Sequence, residues 1–408
     1  MTSIATEPAG ERLHALDAVR AGALLLGVAF HASMSFLPGP QIWVVRDAQS
    51  PALGIFFIVA HIFRMTAFFV IAGYFGRMLL QRRGTGGFIR NRLVRITLPM
   101  IAFWPLVMTG IVACFIWGAT TMSAASGTPP GPPPPTPTLA TFPLTHLWFL
   151  WVLTLFYAVA LAIRGVVALI DPSEWLRGGI IDRAMRALTA TPAAAVVLAV
   201  PLGLAFAAQP IWYGFGGIQT PDTGFVPNTT ALIGFGTAFG FGWLLQRQRL
   251  LLGAIQRWWV VNLVAAVVLT GAVLWLLGGG LAFVPAAEGA PKAALAACYA
   301  LATWSWTLGL IGAALRFLAC ERPAIRYVAD ASYWLYLMHL PVVMALQVLV
   351  LGLPLPAVAK WAVVTGGAFL ILIASYHLLV RHSWIGRWLN GRKLPWRKPA
   401  LAMETQTA

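Results

Sequence analysis

The chain has 408 residues, of which 59% are hydrophobic and only 10% charged, with a mean hydropathy of +0.79. That composition excludes an ordinary soluble domain and describes a polytopic membrane protein. The net charge of +16 would point to nucleic acid in a soluble chain; here the placement of arginine about a membrane accounts for it, and no nucleic-acid partner is expected. A spanning helix needs ~20 apolar residues. Ten stretches qualify, at 18–37, 53–77, 96–118, 144–164, 191–208, 229–246, 258–279, 293–315, 332–352 and 357–380. The start of the chain does not read as a cleavable signal, because Glu7 and Glu11 face a lone Arg12 and the first apolar run contains His31.

The first stretch, LHALDAVRAGALLLGVAFHASMS, carries Asp17, Arg20 and His31. At ~100° and ~1.5 Å per residue, Arg20 and His31 lie ~20° apart in azimuth and ~16 Å apart along the axis, with Asp17 ~40° to the other side of His31. Gly27 falls on the same stripe. Ionisable groups inside a span cost several kcal/mol and face a bundle interior or cavity. The alternative is that Arg20 snorkels to the headgroups and His31 is a satisfied buried histidine. The second stretch, HIFRMTAFFVIAGYFGRMLLQRR, puts His61 and Arg64 on one face at i, i+3. Counted from the helix ends, His31 and His61 both fall ~20 Å from the basic edge. Arg64 lies near mid-membrane, where it calls for an anion or a water-filled cavity, or serves packing alone by pairing with helix-end carbonyls. The third stretch is led by RNRLVRITLP, with Arg92 and Arg95 at i, i+3, suited either to anchoring or to bidentate phosphate binding.

The connections set the topology. Even-numbered loops, the tail and Arg12 hold twenty-three basic residues, against Arg46, Lys292 and Lys360 in the odd-numbered loops. The bias predicts an even span count with both termini cytoplasmic. Residues 1–17 then form a cytoplasmic segment, 18–380 an all-α membrane domain of about ten helices, and 381–408 a basic cytoplasmic tail. Residues 128–138, TPPGPPPPTPT, read as an extended polyproline spacer. In the loop 209–228, Trp212, Tyr213 and Phe215 read as interfacial anchors or as a stacking surface for sugars. Residues 171–186 suggest a short amphipathic helix on the membrane surface.

Later stretches add polar residues. The fourth opens HLWFLWVLTLFY; an aromatic belt explains Trp148 and Trp151 but not His146. The ninth reads ASYWLYLMHLPVV, where Tyr333, Tyr336 and His339 form a drifting stripe at three-residue steps. His377 and His382 read as interfacial. Cys114, Cys298 and Cys320 give neither a disulfide framework nor a ligand spacing, and with six Asp and six Glu in the chain no metal site is expected. There is no G-x-S-x-G elbow, H-E-x-x-H or P-loop.

The segments RLHALDAVRAGALLLGVAFH, FRMTAFFVIAGYF, RLVRITLP, HLWFLW and ASYWLYLMHLP, in that order, resemble the membrane-bound acyltransferase-3 family over nearly the whole chain. The HIFRM and HLWFL wording resembles its glucan-modifying branch, which includes the glucan succinyltransferase. The resemblance implies a multi-pass protein of the bacterial inner membrane. It implies transfer of an acetyl or succinyl group from cytoplasmic acyl-CoA, a co-substrate rather than a bound cofactor, to a carbohydrate hydroxyl on the far side. Under it, Arg20, Arg92 and Arg95 would meet the coenzyme A phosphates, and His31, on the Asp17–Arg20 stripe, would be the general base. His61 or Arg64 would stabilise the oxyanion. His146, Trp148, Tyr333, Tyr336 and His339 would line the substrate site. No serine or cysteine stands out as a nucleophile, so direct transfer is expected. The competing reading, a secondary transporter or proton-coupled permease, also suits ten helices with midplane Arg and His. It lacks a second-half repeat of the first stripe.

Overall fold

Backbone polar groups in a bilayer must be satisfied within each spanning segment, and the chain answers with helices. A computed structural model of the protein describes residues 14–127 and 136–391. In chain order the helices are α1 (His14–Ser33), α2 (Pro51–Arg92), α3 (Leu98–Ser126), α4 (Trp148–Ile170), α5 (Asp182–Thr189), α6 (Ala194–Ala208) and α7 (Thr229–Leu245). Then follow α8 (Leu251–Arg257), α9 (Trp259–Leu276), α10 (Ala290–Phe317), α11 (Pro323–Val350), α12 (Ala357–Ser375) and α13 (Trp384–Asn390). Local chemistry marks several ends. Pro51 and Pro323 open α2 and α11, Asn228 caps α7 by accepting from the Ala231 amide, and left-handed Gly127 and Gly391 close α3 and α13.

Each of the ten expected stretches falls on a helix, yet length and apolar composition alone support fewer crossings. Among the described residues seven helical segments qualify, or eight when the pair Trp175–Thr189 and Ala194–Ala208, bent by 104°, counts as one. Three causes reduce the number to seven. Helix α6 is only 15 and α7 only 17 residues long, and the helical segments from Pro51 to Ala125 count together as one of 75 residues. Such a run would be ~110 Å long if straight, against a hydrocarbon core of ~30 Å. It breaks at Gly84, which adopts φ 65°, ψ 179°. A π turn then follows at Leu93–Thr97. The first helix ends earlier than expected, at Ser33, and passes into a single 3-10 turn.

Helix α1 lies at the centre, packed on α2, α10, α11 and α12, while α3 packs on α11. Small residues let neighbouring backbones approach. At the α2–α7 crossing, a Cβ on Gly73 would collide with the Phe239 carbonyl, and one on Gly242 with the Val70 carbonyl. Hydroxyls tie helices too: Thr303 of α10 donates to the Ile62 carbonyl of α2 at 2.9 Å. Phe69, stacked on Phe235 and edge-on to Phe149 and Phe156, joins α2, α4 and α7.

Three readings of loop residues change. Lys292 and Lys360, taken as loop charges, are buried in α10 and α12. Lys292 pairs with Glu288 at 2.9 Å, and Lys360 with Asp47 at 2.7 Å. Trp212 is neither an interfacial anchor nor a sugar platform. It is 2% exposed, stacked 4.4 Å from Phe206, and its indole N–H donates to the Gly217 carbonyl. Tyr213 is exposed, and Phe215 packs on Phe283. The segment after α4 bends through a π turn into α5, which Arg247 grips through two hydrogen bonds to Asp182 of 2.6 and 2.9 Å. Most of the polyproline stretch, Arg12 and the basic residues after 391 lie outside the described residues.

Candidate active site

The centre of the bundle holds a cavity of about 820 Å³. Every residue singled out above on α1, α2, α4 and α11 as a candidate site residue, together with Arg92, Arg95 and His146, lines it. At its basic end Arg20 pairs with Asp17 at 3.0 Å and reaches the Ala329 carbonyl at 3.5 Å. The guanidinium of Arg92 lies over the rings of Phe88 and Tyr157, at 5.6 and 5.1 Å, and donates to the Tyr157 hydroxyl at 3.3 Å. Arg95 sits in the π turn and fills the space beside Gly391 that a Cβ would occupy. The short helix α13, expected to be part of a cytoplasmic tail, thus forms one wall of this mouth. Asn390 lines the cavity and donates to the Asp330 carbonyl, and Trp388 donates to that of Val94.

Deeper in, Arg64 is 8% exposed, with its guanidinium 4.2 Å from the centre of the Phe30 ring. Gly27 makes room for it, since a Cβ there would lie 3.2 Å from Arg64 Nη1. Among the described residues no carboxylate is within ion-pair distance of Arg64. Its charge therefore faces an aromatic ring and the cavity, an arrangement that an anionic or polar occupant would relieve. Around Phe30 stand both expected histidines, His31 at 5.2 Å and His61 at 5.5 Å between ring centres. The Nδ1 atoms of His31 and His61 are buried without a hydrogen-bond partner.

A third and a fourth imidazole complete the group. The rings of His31 and His339 are 5.1 Å apart, and those of His339 and His146 4.9 Å. Pro341 lies inside α11. Having no N–H, it leaves the Leu337 carbonyl without its intrahelical donor. That oxygen instead meets His146 Nε2 at 3.1 Å. One residue earlier, the Tyr336 carbonyl meets His339 Nδ1 at 2.8 Å, and the Tyr336 hydroxyl donates to the His146 carbonyl at 2.5 Å. Just before His146, Thr145 adopts φ 50°, a left-handed conformation costing ~1–3 kcal/mol in a non-glycine residue. Trp148 stacks on Phe235 at 5.4 Å, and the Tyr333 hydroxyl is buried without a partner.

Sequence reading missed residues that come from elsewhere in the chain. Trp43, in the loop after α1, stacks on His31 with ring centres 5.9 Å apart. Its indole donates to Gln347 Oε1 at 2.8 Å, and Gln347 Nε2 donates in turn to the His31 and Ala32 carbonyls, both at 3.0 Å. The last carbonyls of a helix lack intrahelical donors, so this one amide both caps α1 and holds Trp43 over His31. Asp222 and Tyr157 also line the cavity. The spacing Trp43-Gln347 carries no signal in sequence; a buried glutamine in an apolar helix was the one available hint.

The sequence profile described as an acyltransferase domain matches residues 13–380. The chain belongs to the acyltransferase-3 family. It is 34% identical over 145 residues to glucans biosynthesis protein C of Escherichia coli strain K12 and to that of Escherichia coli O1:K1 / APEC. The match covers 35% of this chain and 36% of each relative, so it spans about a third of the curated proteins' length. No solved structure matches. Among the described residues the fold is helical, with apolar helices long enough to cross a membrane.

Proposed function

We propose that this membrane acyltransferase moves an acetyl or succinyl group from cytoplasmic acyl-CoA to a hydroxyl of an envelope carbohydrate such as a glucan, in the bacterial inner membrane. The observation that carries the reading is the single cavity with arginines at one end and histidines in its depth. In this reading ten helices cross the bilayer with both termini cytoplasmic. Residues 1–17 and 381–408 flank a membrane domain of 18–380, and the mouth lined by Arg20, Arg92 and Arg95 faces inward. Arginine forks suit the nucleotide phosphates, with Asp17 holding Arg20 in place. The pantetheine arm carries the thioester ~15–20 Å inward along α1. His31 takes the proton of the acceptor hydroxyl as it attacks the thioester carbon. Arg64 or His61 meets the oxyanion. His146, Trp148, Tyr333, Tyr336 and His339 line the acceptor side. No acyl-enzyme is needed.

The test uses protein reconstituted in vesicles in one orientation, with acyl-CoA only on the side of the arginines and a membrane-impermeant oligoglucoside only on the other. Acylated product and free coenzyme A thiol should form with no other component. Product that appears only when both substrates share the arginine side would overturn transfer through the membrane.

The donor site has its own expected result. Arg92→Ala and Arg95→Ala should each raise the Kd for acyl-CoA by about tenfold, the loss of one charge-assisted contact. A short pantetheine thioester without the nucleotide phosphates should bind both variants as it binds the parent. Equal losses for the two donors, measured by titration calorimetry, would make these arginines helix anchors only.

A further inference from the structure

We propose that His339 is the proton partner of His31, held in the required tautomer by the Tyr336 carbonyl of its own helix α11. The inference rests on the reading of His31 as the base.

A backbone carbonyl oxygen only accepts hydrogen bonds. The nitrogen facing it must therefore carry the hydrogen. His339 Nδ1, 2.8 Å from the Tyr336 carbonyl, is an N–H donor. His146 Nε2, 3.1 Å from the Leu337 carbonyl, is another. In the neutral rings the lone pairs are then on His339 Nε2 and His146 Nδ1, and the latter is buried with no hydrogen-bond partner. Adjacent carbonyls of one helical turn thus set two histidines in opposite tautomers. Pro341 makes the bond to His146 possible by leaving the Leu337 oxygen free. The left-handed Thr145 brings His146 to it from the segment before α4.

His339 stands between the other two rings, 5.1 Å from His31 and 4.9 Å from His146. It is 4% exposed. Its ring neighbours are His31 on α1, His146 before α4 and Tyr336 on its own helix, and Arg64, His61, Tyr333, Asp17, Asp222 and Asp330 line the same cavity. None of the ring neighbours is a carboxylate. A cation formed on His31 would meet Arg64 in a cavity with few ways to spread charge, and a neutral imidazole with a free lone pair is the group placed to share it. In a serine hydrolase triad a carboxylate orients and stabilises the histidine in this way; here an uncharged ring does so.

The step balances within the two substrates. The acceptor O–H bond breaks and its proton goes to a His31 nitrogen. The acceptor oxygen bonds the acyl carbon, and the C–S bond breaks with its electron pair left on sulfur. The proton is shared between His31 and His339 Nε2 until the thiolate takes it as free thiol. Nothing is oxidised or reduced.

His339→Asn is the discriminating variant. The asparagine amide nitrogen takes the place of Nδ1 and keeps the bond to the Tyr336 carbonyl, while the lone-pair nitrogen is lost. Its kcat should fall ~100-fold or more, the range of a lost acid–base group, with the KM for acyl-CoA within about threefold. In His339→Gly, added imidazole should restore ~10-fold or more of the lost kcat, which a purely structural role would not allow. Gel filtration and donor binding by calorimetry establish that each variant is folded. A folded His339→Asn with kcat within about threefold of the parent overturns the proposal. So does a folded His339→Gly that imidazole leaves unchanged. If His31→Ala is inactive while His339→Asn is active, only this inference falls; an active His31→Ala removes the base itself.

Discussion

His31→Ala is expected to lower kcat by at least ~10²–10⁴-fold, the contribution of a positioned general base, while the protein still inserts and folds. Among the described residues the His31 Nδ1 has no hydrogen-bond partner. What locks the end of α1 is the His31 backbone carbonyl, which accepts from Gln347 whatever the side chain is. The cost of truncation to the structure is a small void under Trp43. Donor binding should survive, because Arg20 at the mouth lies about three turns away along α1 and Arg92 and Arg95 belong to other segments. Thiol release with saturating acyl-CoA and acceptor measures the effect, with calorimetric donor binding as the control. Turnover near that of the parent would remove His31 from the chemistry. Loss of donor affinity in step with turnover would make it a structural residue.

Lys360→Met should destabilise the protein by about 3–5 kcal/mol, the usual consequence of removing one member of a buried ion pair. The Lys360 side chain is 3% exposed and that of Asp47 7%. The ammonium donates to both carboxylate oxygens, at 2.7 and 2.9 Å, and to the Leu351 carbonyl at 3.0 Å. Removing it strands a carboxylate in an apolar setting. The same loop is pinned by the Asp47 amide on the Ser35 carbonyl at 3.0 Å and carries Trp43 onto His31. Adding Asp47→Asn to Lys360→Met should recover much of the loss, because the orphaned charge is gone. Thermal unfolding in detergent, read by tryptophan fluorescence, tests both. A double variant no more stable than the single one would show that side-chain packing, and not charge burial, holds the loop.

Much of the architecture follows from local rules that sequence obeys openly. Backbone groups in a bilayer must be satisfied within the segment, so apolar runs of ~20 residues become helices. Helical period then says which side chains share a face. That was enough to put Asp17, Arg20 and His31 on one stripe, His61 beside Arg64, and Tyr333, Tyr336 and His339 together, and all of these line the one cavity. Family membership was legible for the same reason, since its motifs are local strings.

Period cannot say what faces a stripe, and there the tertiary structure decided. Lys360 looked like a loop charge because nothing near it in sequence is acidic; Asp47 lies 313 positions away. Trp212 looked like a membrane anchor until the fold stacked it on Phe206. Trp43 and Gln347, 304 positions apart, meet over His31 only because α1 and α11 pack side by side. The tautomer of His146 depends on the Leu337 carbonyl released by Pro341 and on a strained turn at Thr145, and that of His339 on the neighbouring Tyr336 carbonyl. A proline in a sequence announces a missing donor, but only the packed bundle determines which distant side chain takes the oxygen it leaves free.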